Sequence, residues 1–466
     1  MNKNYYTKEK SNKGFYLIIL LILGAVAYYM LNSDKFEKVS PTAKIDSNIF
    51  WNLEDDINVT IADNNSLKFV NAYALLQDGK KVPILQKEYT EQIQSDNIVL
   101  KFPEIGFFQE NGQLKLIIEV TDSSLWNYFS GNKITKVVSI KIDRKKPSIQ
   151  DILSSYSIKR GGTALTIFKI KERNLKEVYL ETNEGRKFKV NPFYRDGFYI
   201  SLFAWPVNQE HYRIYVVAKD KAGNTRKRRV RLYFIDTKYK KSYIKLSKKF
   251  VNSNKITNMF EDNNEDFESN AIKRFKYINE NVRKHNEDLM RNFSESFDNS
   301  KKIIDVTLKR FWPLHKALKV ASFGDHRHYY VGNKSNVVSE SYHLGRDIAS
   351  VAKDKIYVSN YGKVKVSETN GIYGKNVVVC HQLGVCSLYG HLSEILTSKD
   401  DKVLPGNIIG RTGVSGLAFG DHLHFGILVQ GVEVIPGDWM DKKWVRTNIT
   451  QVSYDAKKII DQLTHK

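Results

Sequence analysis

The sequence predicts a mainly β protein: an N-terminal transmembrane helix, two β-sandwiches, a helical linker and a C-terminal antiparallel β domain. Three observations carry this expectation. An uncharged apolar run lies near the N-terminus, two strand-rich stretches repeat at sandwich spacing, and 16 of the 27 glycines fall between residues 311 and 440. The 466 residues exceed one ordinary domain about threefold. With 41% hydrophobic and 27% charged residues, the chain can build real cores and is not wholesale disordered.

Lys3, Lys8, Lys10 and Lys13 precede the run from Phe15 to Leu31, FYLIILLILGAVAYYML. As a helix at about 1.5 Å per residue this run spans about 25 Å, enough to cross a bilayer with flanking help. Upstream positive charge is expected to keep residues 1–14 as a cytoplasmic tail, with 15–31 as a signal anchor in the inner (cytoplasmic) membrane. Everything after Leu31 then lies in the periplasm or extracytoplasmic space. A cleaved signal peptide is the competing reading, since Ala25 to Ala27 read AVA, but the apolar run continues past that site through Tyr28 to Leu31. Both readings export the protein.

Residues 114–143, LKLIIEVTDSSLWNYFSGNKITKVVSIKID, have a counterpart in 212–236, YRIYVVAKDKAGNTRKRRVRLYFID. Each shows apolar alternation, an Asp-containing turn at Asp122 or Asp220, and a last strand ending in Asp143 or Asp236. A repeat of about 100 residues is the size of two packed antiparallel sheets, so 48–145 and 146–238 are expected to be immunoglobulin-like β-sandwiches. Neither contains a cysteine, and packing alone must hold them.

The formal net charge of +22 is uneven. Residues 141–250 hold 28 Lys and Arg against 10 Asp and Glu, whereas 311–440 hold 13 against 11. The second sandwich, with its TRKRRVR stretch, therefore carries the basic field. Such a field suits anionic lipid or wall polymer, or is simply a solvated face. Nucleic acid fits the charge but conflicts with export, and the chain carries no nucleic-acid-binding motif.

In the expected helical linker, 239–310, Ala271, Phe275, Ile278, Val282 and Leu289 recur at three- and four-residue spacing with one skipped position at His285. This stripe requires a partner: either it packs on a neighbouring domain, or it lies across the next domain's cleft and regulates access. From 311 to 440, glycines punctuate short apolar runs, as in a turn-rich antiparallel β domain. The tail, 441–466, offers a short possible helix. Cys380 and Cys386 face each other if the turn between them centres on Leu383. An oxidising compartment permits a disulfide there, and a free pair is the alternative.

Eight of the 11 histidines lie between residues 315 and 424. In GDHLHFGI, His422 and His424 share one strand face, because side chains alternate with a period of two. By themselves they fit a metal site or a structural pair. In SYHLGRDIAS, His343 and Asp347 bring an imidazole and a carboxylate suited to zinc, on a turn leading into a strand. In SLYGHLSEI, His391 follows a strand and a glycine.

Taken together, from about Trp312 to Asp438, the order FGDHR, HLGRDIAS, YGKV, YGKNVVVCH, LYGHLS, LPGNIIGRTGVSG and GDHLHF resembles the lysostaphin-like, LytM-type zinc endopeptidases that act on bacterial peptidoglycan. The resemblance implies that His343, Asp347 and His424 hold one Zn2+ per chain, and that His391 and His422 handle protons beside the reacting water. Three protein ligands leave one zinc position open, as in catalytic sites. Zinc lowers the pKa of water to about 7 and polarises the scissile carbonyl. The implied reaction is hydrolysis of peptide bonds in peptidoglycan stems or cross-links, for cell-wall remodelling. The rival implication is a non-catalytic relative that serves as scaffold or activator of another wall hydrolase. Gly426 and Asp421 stand where many members carry an acidic residue and a proline or asparagine, which bears on substrate preference. His315, His326, His328 and His381 are expected to be structural or surface residues, with His381 the one of the four expected to support a metal-holding residue from behind.

Overall fold

The computed structural model describes residues 13–46, 48–103, 111–262 and 270–464. The first twelve residues of the expected tail and residues 263–269 of the expected linker lie outside them. The chain divides into two compact units, Met1–Lys146 with Lys219–Asn224, and Pro147–Ala218 with Thr225–Lys466. Strands dominate both units, as expected.

In the first unit the apolar run forms the helix Lys13–Asn32, which buries none of its side chains. It is long and apolar enough to cross a membrane. A three-stranded and a five-stranded sheet follow. Strict alternation, as in Ile57, Val59 and Ile61 of the strand Ile57–Ala62, sends one face of each sheet into a common core with Val70, Leu116, Ile118 and Ile140. The two aspartates of the sequence repeat do the same work. Asp122 accepts the Asn132 backbone N–H and side-chain amide at 2.8 Å each. Asp220 accepts those of Asn224 at 2.9 and 2.8 Å. Each closes the turn after its strand by satisfying backbone that would otherwise lack a partner.

The second unit centres on a sheet whose antiparallel strands run, in spatial order, Leu318–Ala321, Arg346–Ala349, Leu423–Val429, Val385–Leu392, Gly374–Cys380, Gly362–Asn370 and Lys402–Val403. Val432–Val434 folds back on Leu423–Val429. Period-two alternation gives this sheet two different faces. Leu423, Phe425, Ile427 and Val429 point to one side, into a core continuous with Leu165, Phe168, Leu202 and Phe203 of one of the two four-stranded sheets between residues 148 and 229. The helix Gln451–Thr464 seals the same core with Val452, Ala456 and Ile460. Each fully buried side chain of this kind contributes about 1.5–3 kcal/mol. The basic β module therefore shares its core with the C-terminal sheet and does not stand apart from it.

The opposite face carries Val366, Val378, Cys386, Leu388 and Leu428, and the helices between Lys248 and Glu295 cover it with Ile256, Phe260, Phe275, Ile278, Val282 and Met290. The apolar stripe thus finds its partner on the sheet. Its break at His285 has a cause: Ile278–Val282 is a turn of π-helix, which inserts a residue into the helical repeat. Beyond Val282 the inward positions become Asn286, Met290 and Ser294, while His285 is exposed. Cys380 and Cys386, paired across the hairpin, form a disulfide.

Candidate active site

His424, Gly426 and Leu428 share the helix-covered face of the sheet; the helices shield Leu428, and His424 lies at the open end. His424 pairs in register with Asp347 on one neighbouring strand and Gly390 on the other. His343 precedes the Asp347 strand, and its Nδ1 donates to the Ser322 carbonyl at 2.9 Å. That bond leaves Nε2 of the neutral ring as a bare lone pair. It points at Asp347 Oδ1, 3.0 Å away, and at His424 Nδ1, 3.2 Å away. The third side, His424 Nδ1 to Asp347 Oδ1, measures 2.9 Å.

All three residues are buried, and their ligating atoms form one group able to hold a metal ion. The donor set fits zinc in chemistry as well. Three acceptor-capable atoms face one another, and His424 Nδ1 can offer its single proton to only one of the other two. A cation resolves the remaining acceptor contacts. Burial raises the Asp347 carboxyl pKa; when the His343 and His424 rings are protonated, their hydrogen bonds and charge outweigh burial and hold it well below the usual range. Burial pushes the His424 imidazole down.

His391 departs from strand geometry, with φ of 65°, in the left-handed region that non-glycine residues seldom adopt. Its ring centroid consequently lies 4.9 Å from that of His422 and 5.7 Å from that of His424. Its Nδ1 donates to the Ser415 carbonyl at 2.9 Å, leaving Nε2 free as a proton acceptor. Burial, then the neighbouring His424 and His422, push its pKa well below the ordinary value. His422 donates from Nδ1 to the Gly420 carbonyl at 2.7 Å, and its Nε2 lies 3.8 Å from Asp347 Oδ1. The structure thus gathers all five residues singled out in the sequence at one cleft of about 1050 Å³.

Several residues of this cleft escaped the sequence reading. Arg327 reaches to 3.9 Å from Asp347 Oδ2, and the Tyr373 ring lies 5.6 Å from His424. Lys159, Lys238, Lys240 and Lys319 line the rim. Lys159 comes from the basic β module, so part of that charge faces the cleft. The neighbouring motifs FGDHR and YGKNVVVCH were legible, but nothing in their spacing marked which side chains reach inward. His381 is a structural residue: its Nδ1 donates to the Tyr361 carbonyl at 2.8 Å, and burial pushes its pKa down to about 4.

This sheet and its histidines belong to a peptidase domain. Residues 341–436 match the model of Peptidase family M23, so the chain carries an M23 domain toward its C-terminus. Peptidoglycan DD-endopeptidase ShyA of Vibrio cholerae is 32% identical over 124 residues, 27% of this chain and 27% of that protein. DD-carboxypeptidase/endopeptidase Mpg of Neisseria meningitidis is 33% identical over 94 residues, 20% of this chain and 22% of that one. The chain thus spans about a quarter of the length of these relatives. Among solved structures, the catalytic domain of lysostaphin from Staphylococcus simulans aligns at 22% identity and a TM-score of 0.22, covering 26% of this chain and 91% of that one.

Proposed function

We propose that this chain is a membrane-anchored, exported zinc endopeptidase that hydrolyses peptide bonds in peptidoglycan stems or cross-links. The observation that carries the reading is the convergence of His343, Asp347 and His424 beside His391 and His422 within an M23 domain. His343, Asp347 and His424 hold the metal, which when bound supplies Lewis-acid polarisation of the scissile carbonyl and an acidified water. His391, fixed by Ser415, accepts a proton at Nε2 and returns it to the leaving amine. His422, held beside His391 by its Nδ1 bond to Gly420, steadies the developing oxyanion from Nε2 once that nitrogen has taken up a proton. The basic rim draws in the carboxylates of wall peptides. The helix Lys13–Asn32 anchors the chain, with the tail in the cytoplasm and the peptidase domain outside.

The test is incubation of the full chain with purified sacculi and mass identification of the released peptides. Asp347→Ala is expected to lose zinc and hydrolysis together, and His391→Ala to keep zinc while hydrolysis falls by at least about 100-fold. A wild-type chain that binds zinc at His343, Asp347 and His424 yet releases no peptide would instead make it a scaffold or activator.

A further inference from the structure

Outside the peptidase centre, His326, His328 and Glu340 converge, and we propose that they form a second metal site, for a borderline divalent cation such as Zn2+. His326 and His328 occupy alternate positions of the strand His326–Tyr330, so both rings leave the same face. Glu340 is the register partner of His328 on the antiparallel strand Val337–Tyr342. One Glu340 oxygen lies 2.9 Å from His326 Nε2 and the other 3.0 Å from His328 Nδ1. One ligand atom from each of the three residues lies within 4.8 Å of the others. The two histidine–oxygen distances, each to a different oxygen of Glu340, are near the length of one edge, about 3.3 Å, of a tetrahedron with zinc bonds of about 2.0 Å.

The rings are held before any ion arrives. His326 stacks on Tyr342 at 4.4 Å and 13°, and His328 stacks on Tyr243 at 5.0 Å and 18°. Such packing fixes orientation, which a metal site otherwise loses as entropy on binding. Glu340 is half exposed, so an ion has a path in from solvent and room for water in its open positions. Two imidazoles and one carboxylate are the ligand types of the first site, and they favour zinc over the all-oxygen cations.

The two sites are distinct yet joined through the backbone. Arg327, between the two histidines, turns to the other side and approaches Asp347. Glu340 stands three residues before His343, whose backbone N–H donates to Asp325 and whose carbonyl accepts from Gly324. An ion at His326, His328 and Glu340 pins the two strands that deliver Arg327 and His343 to the cleft.

Zinc stoichiometry of the full chain in detergent, after dialysis against a metal buffer, tests this. Two zinc ions per chain are expected for the wild type and one for His326→Ala/His328→Ala. Asp347→Ala/His424→Ala is expected to keep one, which separates this site from the peptidase centre. Glu340→Gln, which keeps both side-chain length and a hydrogen-bond acceptor, should weaken the second zinc at least about tenfold with an unchanged circular dichroism spectrum. A single zinc in the wild type that persists in His326→Ala/His328→Ala and vanishes in Asp347→Ala/His424→Ala overturns the proposal. The three residues would then be two histidine–carboxylate hydrogen bonds and nothing more.

Discussion

Gly345 and His424 meet so closely that no side chain fits between them: a Cβ on Gly345 would lie 2.4 Å from both Cε1 and Nε2 of the His424 ring. The backbone of Gly345 has no positive φ, so the requirement for glycine is one of space and not of conformation. Gly345→Ala must therefore push the imidazole away from Asp347 and His343. The expected result is a folded protein whose zinc affinity at this centre falls by about 10–100-fold, with hydrolysis falling in parallel. Titration with a competing chelator measures it, and wild-type affinity in the variant would contradict the assignment of His424 as ligand.

Lys255 ties down the loop that holds His391. Its Nζ donates to the carbonyls of Val414 and Ala418 at 2.8 and 2.7 Å, bracketing Ser415, whose carbonyl orients His391. Phe250 packs on Phe419 of the same loop at 4.9 Å. Lys255→Met keeps the stem and removes the donor. Loss of these bonds should cost about 1–3 kcal/mol of stability. The kcat is expected to fall about tenfold with zinc content unchanged, because a loosened loop misplaces His391 without touching the ligands. Equal kcat in the two proteins would reduce Lys255 to a surface contact.

What was legible in the sequence follows from what is local. Strand alternation, the apolar N-terminal run and the His424 repeat of two depend on neighbours along the chain, and each appears in the structure as read. The π turn at Ile278–Val282 was visible only as a skipped position at His285, since a pattern of spacings registers the slip but not its cause. Residues 146–238 read as a separate sandwich because their alternation is complete in itself. Only the fold reveals that Leu202 and Phe203 share a core with Phe425 and Ile427. Arg327 reaches the cleft, and Lys255 the loop behind His391, through contacts of long sequence separation, which no periodicity encodes.

The helix Arg283–Glu295 carries a buried charge group that makes stability depend on pH. Arg291 binds Glu433 at 2.9 Å and Glu287 at 3.2 Å. Burial, then the charge of Glu433, push the Glu287 carboxyl from 4.5 up to about 7. Between these values the folded chain holds a proton that the unfolded chain releases. The contribution is therefore full below about pH 4.5 and is lost as pH rises through about 7. Glu287→Gln mimics the protonated form at every pH. Thermal melts should show wild type and variant alike near about pH 5, with the variant melting higher near about pH 8. A constant difference across that range would place the titration elsewhere.

The helices themselves decide between packing and gating. If they only guarded the cleft, a chain shortened to begin at Lys309 would digest wall material faster than the full chain. The structure argues for the opposite outcome. That shortening strips Ile256, Phe260, Phe275 and Met290 from one face of the sheet, exposing Val366, Val378, Leu388 and Leu428. It also removes Leu165, Phe168, Leu202 and Phe203 from the other face. Each uncovered side chain forfeits about 1.5–3 kcal/mol, more in sum than the 5–15 kcal/mol by which a domain is ordinarily stable. The shortened chain is expected to aggregate and to lose its cooperative melt, whereas Phe250→Ala, which thins only the cleft wall, should remain soluble with altered KM. A soluble shortened chain that outpaces the full chain on sacculi would restore gating as the role of these helices.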